Sequence, residues 1–147
     1  MKTDDKSTIS LAWIQTKKGS NKGKHFKRLR VLFDSGCAAT LVNHSFLKAL
    51  KKKTALNTKW STKAGTFTTT AKCKCMFSLP EFHENRDIIL DVYVDTTSTK
   101  DSRYDMIIGR DLMNSTGLDL RFSDNTMTWD NASVRMRSVT WLVNVLI

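Results

Sequence analysis

The stretch at residues 31–42 reads VLFDSGCAATLV, and Asp34 is the one acidic residue between Lys6 and Pro80, a span that holds sixteen lysines and arginines. A single surface carboxylate is a weak base with a pKa of about 4 and makes a poor catalyst. Two carboxylates within hydrogen-bond distance cannot both ionise comfortably, so they share one proton. The ionised member can then take a proton from water while the protonated one donates to a carbonyl. That is hydrolysis of a peptide bond without a covalent intermediate. Such a pair needs each Asp on a tight turn at the end of a buried strand. It also needs a neighbouring hydroxyl to brace the turns and a glycine for close backbone approach. Phe33-Asp34-Ser35-Gly36 supplies these in order. Taken alone, the tripeptide is better read as an ordinary Asp-Gly-type turn between strands; the apolar run before it and ATLV behind it favour the catalytic reading.

Other chemistries are weaker. Cys37 and His44 could form a nucleophile and base, but no third orienting group is evident. Cys73 and Cys75 flank Lys74, with His83 nearby. A C-x-C without a second pair lacks zinc-ligand spacing, so the two thiols read as part of a buried strand face. His25, His44 and His83 read as surface or turn residues. No metal and no cofactor are expected.

The elements around Asp34 are mostly short strands. STISLAWIQT (7–16) and HFKRLRVLF (25–33) flank the turn-like KKGSNKGKH, and ATLVN (39–43) follows the DSG. SFLKALKKK (45–53) has helix-like spacing of Phe46, Leu47 and Leu50. Residues 66–79 alternate as one long strand, with Phe67, Thr69, Ala71, Cys73, Cys75, Phe77 and Leu79 on one face. DIILDVYVD (87–95) repeats the alternation, and YDMIIG (104–109) is a short apolar strand ending in glycine. RDLMNSTG (110–117) reads as a compact helix with Gly117 just past its end. LDLRFSDNTMTWD (118–130) reads as a hairpin turning at Asp124-Asn125. The class is mostly β, and residues 131–147 find no clear place in it.

Composition bounds the rest. A chain of 147 residues with 40% apolar content suits one domain. The net charge of +10 is uneven: residues 17–30 carry seven bases and no acid, whereas residues 81–147 carry eleven acids against seven bases. The lysines of the basic half sit among Gly, Ser and Asn with only Phe26 interleaved, so nucleic acid is not expected as the main partner. The apolar WLVNVLI at 141–147 is far shorter than the roughly 20 residues that span a bilayer, and MKTDDKSTIS lacks the apolar core of a signal peptide. Three cysteines, an odd number, fit a reducing compartment better than a disulfide scaffold. An intracellular, cytoplasmic protein without a membrane partner is the expectation.

LFDSGCAATLVNHSFL at 32–47, WSTKAGTF at 60–67 and YDMIIGRDLMNSTGLDLRFSDNTMTWD at 104–130 together resemble the retroviral-type aspartic proteases, or retropepsins. The similarity is greatest to those of gypsy-type LTR retrotransposons. It implies the acid protease fold, a retropepsin-like closed β-barrel or sandwich with one short C-terminal helix, over residues 8–130. A tail at 1–7 and an extension or linker at 131–147 would flank it. Asp34 would be catalytic, with Ser35 and Gly36 supporting it. Ala64, Gly65, Thr66 and Phe67 would form a flap over the substrate, and Ile107, Ile108, Gly109 and Arg110 would lie beneath the site.

Only one D-[S/T]-G occurs in the chain, so a carboxylate pair requires a homodimer with Asp34 facing its counterpart across a two-fold axis. The implied substrate is polypeptide, the chain's own polyprotein, processed in the cytoplasm or in virus-like particles. The alternative is a catalytically silent domain kept for dimerisation or peptide binding. The sequence departs from the family twice. Cys37 stands where many members have Ala or Ser. Residues 37–40 are Cys-Ala-Ala-Thr, without the Asp that pairs with the Arg of this motif in many viral members.

Overall fold

The computed structural model describes residues 6–16, 25–43, 51–53, 58–62, 65–69, 71–95, 103–138 and 140–141. Among these the chain runs β1 (Ile9–Thr16), β2 (His25–Phe33), β3 (Leu41–Asn43), β4 (Lys51–Lys53), β5 (Thr58–Thr62), β6 (Gly65–Thr69), β7 (Ala71–Ser78), β8 (Asp87–Asp95), β9 (Met106–Ile108), α1 (Arg110–Thr116), β10 (Asp119–Arg121), β11 (Thr126–Trp129) and β12 (Ala132–Arg135). One sheet orders its strands β1-β2-β9-β3-β8-β7-β4, and β1 also pairs with β7 through Trp13↔Ser78 and Ile14↔Phe77. That second pairing closes six strands into a barrel, with β4 as an outer edge. A closed ring leaves no unpaired strand edge within it.

Side-chain alternation decides which face of each strand turns inward. Leu29, Val31 and Phe33 of β2 are buried while Arg28 is exposed. Cys73, Cys75 and Phe77 of β7 are buried while Lys74 is exposed, and Ile88, Val92 and Val94 of β8 complete that wall. Met106 and Ile108 of β9 and Leu112 and Met113 of α1 join the same core. Full burial of side chains such as Phe33 and Phe77 stabilises the barrel by roughly 2–3 kcal/mol each. Gly117 ends α1 in the left-handed region at φ 74°, and its N–H donates to the carbonyl of Met113. Here a glycine has the conformation that side-chain-bearing residues avoid.

The hairpin expected at 118–130 forms from β10 and β11, with Asn125 left-handed at φ 58° in its turn. Residues 131–147, which the sequence left without a place, contribute β12, the third strand of that small sheet. Val134 and Met136 are buried, and Ser7 and Arg137 exchange backbone hydrogen bonds of 2.7 and 3.0 Å. Arg137 also pairs with Glu81, whose carboxylate accepts from the Ser10 hydroxyl and the Leu11 N–H.

Two local expectations are corrected. Lys51–Lys53 is strand β4 rather than the end of a helix, and residues 44–50 lie outside the described residues. Its backbone pairs with Lys72–Lys74 of β7, so sheet pairing sets these three residues as strand. A lysine-rich segment also suits a sheet edge, where charge discourages further pairing. The long alternating strand at 66–79 is two strands, β6 pairing with β5 and β7 pairing with β8. The alternating sequence pattern runs through both, so periodicity alone does not mark where partners change.

Candidate active site

β2 and β9 run parallel, in register from Val31↔Met106 to Phe33↔Ile108, and β3 lies antiparallel on the other side of β9. Residues 34–40 therefore leave one neighbour of β9 and return as the other, crossing its C-terminal end. Asp34 opens this loop. Its N–H donates to the carbonyl of Ile108 at 2.9 Å, and its own carbonyl accepts from the Cys37 N–H at 3.1 Å. The strand leading into it is fixed as well: the Thr8 hydroxyl donates to the Phe33 carbonyl at 2.5 Å, and the Phe33 N–H donates to the Thr8 carbonyl at 2.9 Å.

The Asp34 side chain is half-buried, and its Oδ1 accepts the Gly36 N–H at 2.9 Å. A Cβ on Gly36 would lie 3.1 Å from that same oxygen, so a larger residue would press on the carboxylate. Ser35 and Gly36 are exposed beside it. The loop thus presents a carboxylate oriented by its own turn at an open surface.

Gly109 passes directly beneath. A Cβ there would meet the carbonyl oxygens of Cys37 and Ala39 at 2.6 and 2.7 Å, a distance real side chains do not occupy. Ile108 is buried and Ile107 half-buried on the strand before it. Arg110 is exposed and donates through its guanidinium to the Ser35 carbonyl at 2.7 Å, while its N–H reaches the Cys37 carbonyl at 2.8 Å. The absent Asp partner is thus replaced by a backbone oxygen of the DSG turn itself.

The flap residues stand differently. β5 and β6 form an antiparallel hairpin with Thr62↔Gly65 as its last pair and Trp60↔Phe67 within it. Gly65, Thr66 and Phe67 lie on β6, and Ala64 lies outside the described residues.

Cys37 is half-buried, and its thiol donates to the Ala39 carbonyl at 3.1 Å. Burial pushes this thiol's pKa up, and the nearby Asp34 and Asp111 charges add to it. An activated cysteine nucleophile needs the opposite shift. His44 lies outside the described residues. Cys73 and Cys75 are buried in the barrel wall. His83, expected at the surface or in a turn, lies half-buried in the turn segment between β7 and β8, with Nε2 donating to the Trp129 carbonyl at 3.1 Å and its ring edge-on to the Trp129 indole.

One pair was not singled out from the sequence. Thr40, fully buried, and Asp111, in the first turn of α1, are joined by two hydrogen bonds of 2.8 and 3.1 Å. They lie 71 positions apart, and nothing local links them.

No protein-family model and no curated protein sequence matches this chain. Among solved structures, it is similar to EIAV protease in complex with the inhibitor HBY-793, at TM-score 0.55 and 15% identity, covering 83% of this chain and 99% of that one. It is also similar to the retroviral protease-like domain of Ddi1 from Leishmania major, at TM-score 0.53 and 14% identity, covering 88% of this chain and 96% of that one. A closed six-stranded barrel with one short helix, aligned over nearly the whole of both structures, gives this chain the retropepsin-like fold.

Proposed function

We propose that this chain is a homodimeric aspartic endopeptidase, of the kind encoded in gypsy-type LTR retrotransposons, that cleaves its own polyprotein. The carrying observation is the setting of Asp34. It begins a loop anchored on β9, its carboxylate is oriented by the Gly36 N–H, and it faces an open surface. One such loop per chain supplies half of a carboxylate pair, and a two-fold dimer supplies the other half. Ser35 and Gly36 would then brace the paired turns. Water held between the two Asp34 side chains attacks the peptide carbonyl as one carboxylate takes its proton and the other donates. The β5–β6 hairpin supports a flap role for residues 64–67, closing over a peptide bound in extended form. Processing would take place in the cytoplasm or within virus-like particles.

The test is cleavage of a retrotransposon polyprotein or a peptide library by the purified full chain, with and without pepstatin, beside Asp34→Asn. The amide is nearly isosteric but cannot act as the base. The parent should cleave and be inhibited, while the variant should be inactive yet folded and dimeric. A folded, dimeric parent without peptidase activity would favour the silent peptide-binding domain instead.

A further inference from the structure

We propose that Asp111 is a positioning residue for the catalytic loop, holding through Thr40 the far end of the segment that carries Asp34. The inference rests on reading Asp34 as the catalytic carboxylate.

The near end of the loop is tied to β9 by the Asp34 N–H. The far end depends on Thr40, which is 0% exposed. Its N–H donates to Asp111 Oδ2 at 3.1 Å, and its hydroxyl donates to Asp111 Oδ1 at 2.8 Å. The same hydroxyl oxygen accepts the Gly109 N–H at 3.3 Å, and the Thr40 carbonyl accepts the Tyr93 N–H at 3.0 Å. Asp111 Oδ1 also accepts the Leu112 N–H at 2.8 Å. Three donors therefore converge on one carboxylate, and none of these contacts offers it a hydrogen-bond acceptor.

An amide at position 111 can keep the two bonds at Oδ1 but must turn its NH2 toward the Thr40 N–H, donor against donor. That N–H is buried, and a buried donor without an acceptor drives its segment to move until one is found. The loop can yield only at residues 37–40, because its start is fixed on β9. Gly109 has no spare space there, since even a Cβ on it would stand 2.6 and 2.7 Å from the Cys37 and Ala39 carbonyl oxygens. Movement at Thr40 is thus passed back along a short loop to Gly36, whose N–H orients the Asp34 carboxylate on its fixed backbone. Misplacing a catalytic group by about 1 Å costs on the order of 100-fold in rate. The Asp111 carboxylate touches neither Asp34 nor, on this reading, the substrate, so it acts through Thr40; the Asp111 N–H, which donates to the Ala38 carbonyl at 3.2 Å, is common to parent and variant.

The test compares Asp111→Asn, Thr40→Val, Thr40→Ser and the Asp111→Asn/Thr40→Val pair in the full chain, at a concentration where sedimentation shows the same dimer for all. With a cleavable peptide, Asp111→Asn and Thr40→Val should each lower kcat by about 10- to 100-fold with KM within about threefold. Thr40→Ser, which keeps the hydroxyl, should stay within about threefold of the parent. The double variant should be no worse than the weaker single, because both remove one linkage. Alkylation of Cys37, which sits in this loop, gives a readout free of catalysis. It should speed up about tenfold or more in Asp111→Asn while the core thiols Cys73 and Cys75 stay slow. An unchanged kcat, or all three thiols loosening together, would overturn the proposal. If the parent cleaves nothing, the reading of Asp34 fails, and the Cys37 rates still decide whether Asp111 holds the loop.

Discussion

Gly109 lies against Cys37 with no room between them: a single methyl group added to the glycine would stand 2.6 Å from the Cys37 carbonyl oxygen. The contact is backbone on backbone, so no side chain can swing aside to relieve it. It sets how closely the strand beneath the site approaches the loop that carries Asp34.

Gly109→Ala should therefore destabilise the chain by about 3 kcal/mol, the upper end of ordinary overpacking. Urea unfolding should show the midpoint fall with the slope unchanged. Any folded fraction should lose peptidase activity, because relief requires residues 37–39 to move. A variant with parental stability would mean that the loop and β9 are not packed as described.

On the proposed dimer mechanism, specific activity should fall on dilution once protein drops below the dimer dissociation constant, since one chain holds half a site. Activity assays and sedimentation over the same concentration series check this. Full specific activity in a sample that sediments as monomer would exclude the paired-carboxylate mechanism.

Cys37→Ala should retain peptidase activity within about threefold. The thiol is held protonated by burial and by nearby negative charge, which leaves little thiolate at neutral pH. Steady-state kinetics of the variant, with iodoacetamide treatment of the parent, separates the two chemistries. Loss of activity in Cys37→Ala together with activity surviving in Asp34→Asn would replace the aspartic mechanism by a cysteine one.

Stability should decline in alkali through Cys75. Burial, with Cys73 adding to it, pushes the Cys75 thiol up to about 12. In the unfolded chain a thiol titrates at about 8.5. Between those values the unfolded state binds fewer protons, so the stabilisation is complete below about pH 8.5 and is lost as pH rises toward 12. Between pH 8 and pH 11 this one group should remove about 3 kcal/mol. Urea titrations at the two values measure the loss, and Cys75→Ala should shrink it by that amount. An identical loss in the variant would show that Cys75 is not the group responsible.

The sequence by itself determined the strands whose alternation is strong and the turns whose chemistry is local. The apolar run into Asp34 marks β2 as a strand from the order of residues alone, while its pairing decides that Leu29, Val31 and Phe33 are the buried side chains. The same holds for β8, for the Asp124-Asn125 turn and for the glycine ending α1, because each depends on neighbours in the chain. The DSG triplet was legible for a similar reason: strand, turn and glycine are contiguous.

Tertiary structure decided everything that depends on which segments meet. Residues 66–79 alternate in sequence throughout, so only the pairing of β6 with β5 and of β7 with β8 divides them into two strands. Lys51–Lys53 is extended because β7 offers it backbone partners, a fact no local spacing records. The Arg110 contact with the Ser35 carbonyl and the Asp111 contact with Thr40 span 75 and 71 positions. Each depends on β9 lying between β2 and β3, and hydrogen bonds between residues so far apart leave no period in the sequence.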